Sequence, residues 1–374
     1  MSDEVSVLIV DDSALMRNLI GRMVEATPGL VIADKAMNGN FALQKIPRCN
    51  PDIIVTDIEM PEMNGIQFLE EKKRLGIDIP VIVLSAVASK GAKVTMDALS
   101  LGASDFIQKP SGSSSENIAA VSEHLTTMLL AYGSQYRKSK GKRLLSPSEF
   151  PEKKASPVTD IFPQKARAAV PAPPPVPLRK TGKIEIIAIG ISTGGPDALR
   201  EVFAHIDGDI TQPIVVVQHM PAGFTGEFAR SLDRLCPLEV KEAEEGDLLK
   251  PGRILIAQGN KHIEVEKRAL AAIVHLTDNP PVNGHRPSAG VLFESVAKNY
   301  QNHALGVIMT GMGRDGSAEL GSIYREGGLT LGQDESSAIV YGMPRVAYEL
   351  GNVMEQVSLT KMASRISSIA KNYQ

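Results

Sequence analysis

The chain has 374 residues, 43% of them hydrophobic, and a formal net charge of −3 at pH 7. That balance excludes a general affinity for nucleic acid, and no apolar stretch is long enough to span a membrane. Cys49 and Cys236 stand far apart in no metal-ligand spacing, and the start Met-Ser-Asp-Glu lacks a basic leader, so the expectation is a cytoplasmic protein with no disulfide framework and no signal peptide.

The first element predicted along the chain is a buried strand over Val5–Val10, ending in Asp11-Asp12. Ser13 can cap a helix in which Leu15, Met16, Leu19, Ile20, Met23 and Val24 recur at helical spacing. Short strands over Val31–Ala36, Asp52–Thr56, Val81–Leu84 and Asp105–Gln108 follow, separated by helical stretches such as Gly65–Arg74 and Val94–Leu101. A last helix, about Glu116–Leu130, closes this unit. Strand and helix alternate five times, which predicts a doubly wound parallel sheet over residues 1–132.

Residues 133–182 differ in character. Pro147, Pro151, Pro157 and Pro163 lead into Pro171-Ala-Pro-Pro-Pro-Val-Pro177, and eleven Lys and Arg face three Asp and Glu. This reads as a basic, proline-rich linker without the apolar residues a core requires. A second alternating α/β unit is predicted over 183–374. Its strands are expected at Ile184–Ile189, Pro213–Gln218, Arg253–Ala257, Ala271–Leu276, Leu305–Met309 and Gly328–Leu331. Helices are expected near Pro196–His205, Phe224–Leu235, Ser288–Asn299 and Ser317–Glu326. The fold class is therefore α/β, with two doubly wound parallel-sheet domains joined by a flexible linker.

Ligands of open α/β sheets bind beyond the carboxyl ends of the strands, so the residues there carry the chemistry. In the first domain Asp11, Asp12 and Asp57 would meet, and three anions together call for a cation. Hard oxygen ligands suit Mg²⁺. Asp57 can act as a carboxylate nucleophile towards phosphorus, Lys109 can pair with the product, and Ser85 offers a hydroxyl. Asp-Asp-Ser, Asp57 with Met60-Pro61 and Gly65, Ser85-Ala86 and Lys109-Pro110 together resemble the receiver domain of two-component response regulators over about residues 3–130. The resemblance implies phosphorylation at Asp57, Mg²⁺ ligation by Asp11, Asp12 and Asp57, and a switch formed by Ser85, Phe106 and Lys109.

In the second domain a strand runs into Gly190-Ile-Ser192-Thr-Gly194-Gly195-Pro196, a tight turn opening a helix. Ser192 would stand beside free helix N–H groups, which favours a nucleophile near an oxyanion hole. A plain phosphate or dinucleotide loop has the same glycines. The next strand, however, ends in Gln218-His219, where a dinucleotide site wants an acid, and a histidine there can serve Ser192 as general base. A later strand runs into Thr310-Gly-Met-Gly-Arg-Asp315-Gly316 and presents a carboxylate. The order Ser, His, Asp differs from that of the α/β-hydrolases, but triads are defined by geometry and role. His285 and Arg286 lie on a polar loop and are candidates for binding a substrate carboxylate. A structural salt bridge by Arg286 is the even alternative.

Ile-Ser-Thr-Gly-Gly, Gln-His-Met-Pro-Ala-Gly-Phe-Thr, Asn-Gly-His-Arg-Pro-Ser, Thr-Gly-Met-Gly-Arg-Asp-Gly and Tyr-Gly-Met-Pro resemble the effector domain of chemotaxis protein-glutamate methylesterases. The resemblance covers about 183–370, and the order receiver, linker, effector matches the whole architecture. It implies a catalytic Ser192, His219 and Asp315, with oxyanion donors at Thr193 and Met312. Ile191, Pro196 and Arg314 depart from residues common in the family and bear on substrate preference. The implied reaction is hydrolysis of glutamate γ-methyl esters on methyl-accepting chemoreceptors, releasing methanol, with deamidation of receptor glutamines beside it. The implied phosphodonor is the histidine kinase of the chemotaxis system, with recruitment to receptor arrays at the inner membrane face. Mg²⁺ belongs to the receiver, and no cofactor is expected in the catalytic domain. The unphosphorylated receiver is expected to pack over the mouth of the Ser192 site.

Overall fold

Strands buried on both faces need near-continuous runs of Val, Ile and Leu, and such runs build both sheets of this chain. The computed structural model describes residues 3–85, 89–109, 115–142, 182–268 and 271–373. Most of the predicted linker, 143–181, lies outside the described residues.

The first sheet contains β1 (Val5–Val10), β2 (Leu30–Ala36), β3 (Ile53–Asp57), β4 (Val81–Ser85) and β5 (Asp105–Gln108). The strand order is β2-β1-β3-β4-β5, and every pairing is parallel. Helices α1 (Ala14–Ala26), α2 (Gly39–Cys49), α3 (Gly65–Arg74), α4 (Ser89–Ser100) and α5 (Ser115–Ser139) supply the crossovers. Ser13, Asn38 and Asn64 cap the first three by accepting backbone N–H bonds, so each strand-to-helix turn is fixed by a side chain.

Helix α5 runs nine residues beyond the predicted end near Leu130. Its tail, Gly-Ser-Gln-Tyr-Arg-Lys-Ser, has little apolar periodicity and is held by charge. Asp52, fully buried at the start of β3, accepts from Arg137 at 2.9 Å and from Lys142 at 2.8 Å. Ser6 completes its shell through N–H and hydroxyl. Burial alone would raise the Asp52 pKa, but these donors hold it below the ordinary value.

The second sheet has seven strands in the order β14-β13-β12-β6-β7-β9-β8, again parallel throughout. They are β6 (Ile186–Ile191), β7 (Ile214–Gln218), β8 (Glu239–Glu242), β9 (Arg253–Ile256), β12 (Ala304–Ile308), β13 (Leu329–Gln333) and β14 (Glu355–Val357). The hairpin strands β10 (His262–Lys267) and β11 (Ala272–Thr277) pair antiparallel outside this sheet. The flanking helices are α6 (Gly195–His205), α7 (Thr225–Asp233), α8 (Ala289–Tyr300), α9 (Leu320–Arg325), α10 (Met343–Glu349) and α11 (Leu359–Asn372). Ser295 and Asn299 of α8 hydrogen-bond the backbone of Val265, which ties the hairpin to the domain.

Five of these elements escape sequence reading: β8, β10, β14, α10 and α11. Strand β8 has one apolar residue in four, and β14 has three residues in all. The predicted strand over Ala271–Leu276 exists one residue later, as half of the hairpin instead of a member of the parallel sheet. The chain lays down β6, β7, β9 and β8 to one side, then returns to place β12, β13 and β14 on the other. The strand order therefore reverses between β6 and β12, and a crevice opens at their carboxyl ends.

Candidate active site

That crevice collects the three residues predicted to act together. Ser192 follows β6, His219 follows β7, and Asp315 lies on the glycine turn after β12. His219 Nδ1 stands 3.0 Å from Ser192 Oγ, and His219 Nε2 stands 2.8 Å from Asp315 Oδ2. An ionised carboxylate only accepts, so the imidazole proton sits on Nε2 and leaves Nδ1 free to take the serine proton. Asp315 is almost wholly buried. Burial pushes its pKa upward, but bonds from His219, Ser288 and the Ala289 N–H prevail and hold it at about 2. Asn283 Nδ2 adds a further bond at 3.2 Å. The carboxylate is thus charged and fixed, as an orienting group for a general base must be.

Gly194 adopts a left-handed φ of 80° at the turn into α6, a conformation that favours glycine. Gly195 packs so closely on Gln218 that a Cβ there would collide with the amide oxygen. The Gln218 amide in turn donates to the carbonyls of Ser192 at 3.0 Å and His219 at 3.1 Å. One buried side chain therefore couples the Ser192 turn to the His219 turn. Among the described residues none accepts from the backbone N–H of Thr193 or Met312, and both residues line a cavity of about 610 Å³ with Ser192 and His219.

His285 also reaches this cavity, with its ring stacked on His219 at a centroid distance of 3.8 Å. Arg286 lines the same cavity and is also held from outside it. Its guanidinium donates to Asn260 Oδ1 and to the carbonyls of Asp278 and Asn279 at 2.8–3.1 Å, so it braces neighbouring loops. Among the described residues no salt bridge engages it, and its place in the cavity wall leaves it beside His285.

Residues 187–366 match the family described as CheB methylesterase, and residues 7–121 match the response regulator receiver domain. A protein of Treponema denticola named protein-glutamate methylesterase/protein-glutamine glutaminase is 61% identical over 376 residues, covering 99% of this chain and 100% of that protein. The chain belongs to the CheB methylesterase family. A Treponema pallidum relative of the same name is 52% identical over 99% of this chain and 98% of its own length. Among solved structures, the Thermotoga maritima CheB methylesterase catalytic domain is 33% identical, with a TM-score of 0.49, over 50% of this chain and 99% of that one.

The family's receiver half carries the acidic cluster at the ends of β1 and β3. Oxygens of Asp11, Asp12 and Asp57 lie within 4.8 Å of one another. Lys109 Nζ is 2.6 Å from Asp57 Oδ2 and 3.5 Å from Asp11 Oδ2. Burial would lower the lysine pKa, but these two carboxylates raise it. Asp11 Oδ2 is buried and accepts no hydrogen bond among the described residues, and desolvation raises the Asp11 pKa. A buried, under-satisfied oxygen among hard anionic donors fits a small divalent cation such as Mg²⁺. Ser85 Oγ points to Thr95 Oγ1 of α4 at 2.6 Å.

Receiver and effector meet directly at the crevice. Phe106 of β5 stacks on Phe224, which precedes α7, at 5.1 Å and 14°. Asp105 Oδ2 accepts from the Gly194 N–H at 2.9 Å, two residues beyond Ser192. Burial carries the Asp105 pKa up to about 6, against the lowering by the N–H groups of Gly194 and Phe106. His124 of α5 places Nε2 3.3 Å from Thr193 Oγ1. His124, Asp105, Ser288 and Asn283 are not among the site residues expected from the sequence. None of these carries a local signal, because their partners lie 27 to 89 residues away.

Proposed function

We propose that this chain hydrolyses the γ-methyl esters of glutamate residues on methyl-accepting chemoreceptors, releasing methanol, and deamidates glutamines at such sites. The observation that carries this reading is the Ser192–His219–Asp315 relay, set at the strand-order reversal of a domain that matches the methylesterase family. Its named relatives share nearly the whole length of the chain.

In this mechanism Ser192 Oγ attacks the ester carbonyl while His219 Nδ1 takes its proton. Asp315 holds the imidazole tautomer and stabilises the imidazolium. The free N–H groups of Thr193 and Met312 receive the developing oxyanion. His219 returns the proton to the methoxide leaving group, and water attacks the acyl-enzyme by the same route in reverse.

Regulation enters through the receiver. Asp11, Asp12 and Asp57 would hold Mg²⁺, which neutralises charge on an incoming phosphoryl group as Asp57 attacks phosphorus. The phosphodonor is a histidine kinase partner in the cytoplasm, at receptor arrays. The new charge draws Lys109 and Ser85 towards it, and Phe106 turns inward and leaves its stack on Phe224. The receiver then releases the Gly194 turn and the cavity mouth. No helix among the described residues is long and apolar enough to cross a membrane.

The test is methanol release from membranes bearing methylated receptors, with and without Mg²⁺ and a small phosphodonor. Release that rises with the phosphodonor supports the esterase and its gate. Release indifferent to it leaves the esterase and removes the gate. No release from a receptor known to be methylated removes the esterase.

A further inference from the structure

We propose that His285 is a positioning residue for His219: its imidazole face holds the ring of the general base and stabilises the imidazolium formed when Ser192 attacks. The inference rests on the esterase reading above and adds to it a fourth member that acts through the third.

The geometry is that of a built contact. The two rings lie 3.8 Å apart between centroids and 10° from parallel, so the His285 face covers that of His219. The loop bearing it is rigid for identifiable reasons. Val282 and His285 exchange backbone hydrogen bonds at 3.0 and 2.9 Å around Asn283 and Gly284, both at positive φ. That is the two-residue hairpin turn for which Asn-Gly is the preferred sequence. Asn283 bonds Asp315 on one side of the turn, and Ser288 bonds it just beyond the other. Arg286 ties the loop to Asn260 and to two carbonyls. A single loop thus grips both the base and the carboxylate that orients it.

The chemistry gives the contact a direction. A neutral aromatic ring presents a negative face, and a cation held against it is stabilised. His285 stays neutral: burial first, and then the positive charge of His219, hold its pKa down at about 4. The proton taken from Ser192 therefore rests on His219 and not on its neighbour. Among the described residues, the titratable and charged groups around His219 are Asp315, His285 and Arg286 of the effector and Asp105, Glu123 and His124 of the receiver.

The test uses the full chain, Mg²⁺ and a small phosphodonor, comparing wild type with His285→Ala and His285→Phe. Two readouts are taken across pH 5–9: methanol release, and labelling of Ser192 by a fluorophosphonate, which needs the base but not the receptor. His285→Ala is expected to lower kcat and the labelling rate roughly 3- to 30-fold with KM unchanged, and to move the acid limb to lower pH, because an unstacked imidazolium forms less readily. His285→Phe, which restores a ring face, is expected to recover most of the rate and return the limb. An active wild type with an unchanged His285→Ala overturns the inference and leaves the esterase reading intact. Equal losses in Ala and Phe, with unchanged thermal melting, also overturn it, since the ring face would then not matter. A wild type that neither labels nor releases methanol overturns the esterase reading and the inference with it.

Discussion

At the scale of single residues the site depends on one charged carboxylate being kept dry and fully bonded. Asp315→Asn should preserve the fold and lower kcat by about 10³- to 10⁴-fold, because an amide can donate to His219 and favour the wrong tautomer. Steady-state methanol release against pH checks this, and Ser192→Ala sets the floor. The depressed pKa of Asp315 also bears on stability. Its ordinary value is 3.8 and its folded value about 2, so its contribution is fully present above pH 4 and disappears as pH falls through 2. A wild-type unfolding free energy that stays level between pH 4 and 2, with Asp315→Asn identical to it, would contradict the assignment. The three site residues were legible in the sequence because each follows an aliphatic run and sits on a glycine or polar turn. Asn283 and Ser288 were not. Their common short-range reading is a turn residue and a helix cap, and both do serve those local roles.

At the scale of elements, charge does work that hydrophobic patterning does not reveal. The α5 tail is fastened by a buried Asp52 between Arg137 and Lys142. Asp52→Ala removes the buried carboxylate that Arg137 and Lys142 share and should destabilise the receiver by about 3 kcal/mol, read from urea unfolding. The three strands missed in the sequence lack a long apolar run of their own. Strands β8 and β14 are short or polar and are stabilised by the ladder of a neighbour, and β10 finds its partner in a hairpin closed by the chain itself. Strands β1, β3, β4, β6, β7 and β12 are buried on both faces and so announce themselves in composition. Strand β5 is an element with two duties. Asp105 and Phe106 stand at its start, where they belong to the receiver and also touch the effector. Phe106→Ala should raise methanol release in the absence of phosphodonor by roughly two- to ten-fold, the range expected for losing one stacked aromatic pair. Unchanged basal release would show that the stack does not hold the receiver in place.

At the scale of the whole molecule the two halves form one cavity, and its lining is drawn from both. Shifting from 1% to 99% open needs about 5.5 kcal/mol of differential stabilisation. A single phosphoryl group with the repacking it causes is expected to supply less than that, so phosphorylation should give graded activation. A chelator should abolish the effect of the phosphodonor while leaving basal methanol release unchanged. Loss of the basal release as well would place a metal requirement in the effector half.

The sequence by itself determined the two parallel sheets, the acidic cluster with its lysine, and the serine, histidine and carboxylate at strand ends. Each of these is written locally, in a run of residues and the turn that follows it. Only the tertiary structure decided which surfaces face each other. That Phe106 meets Phe224, that Asp105 caps the turn beyond Ser192, and that His285 lies flat on His219 are contacts between segments distant along the chain. Their cause is the strand order and the docking of one sheet unit on another, which no local pattern of residues encodes.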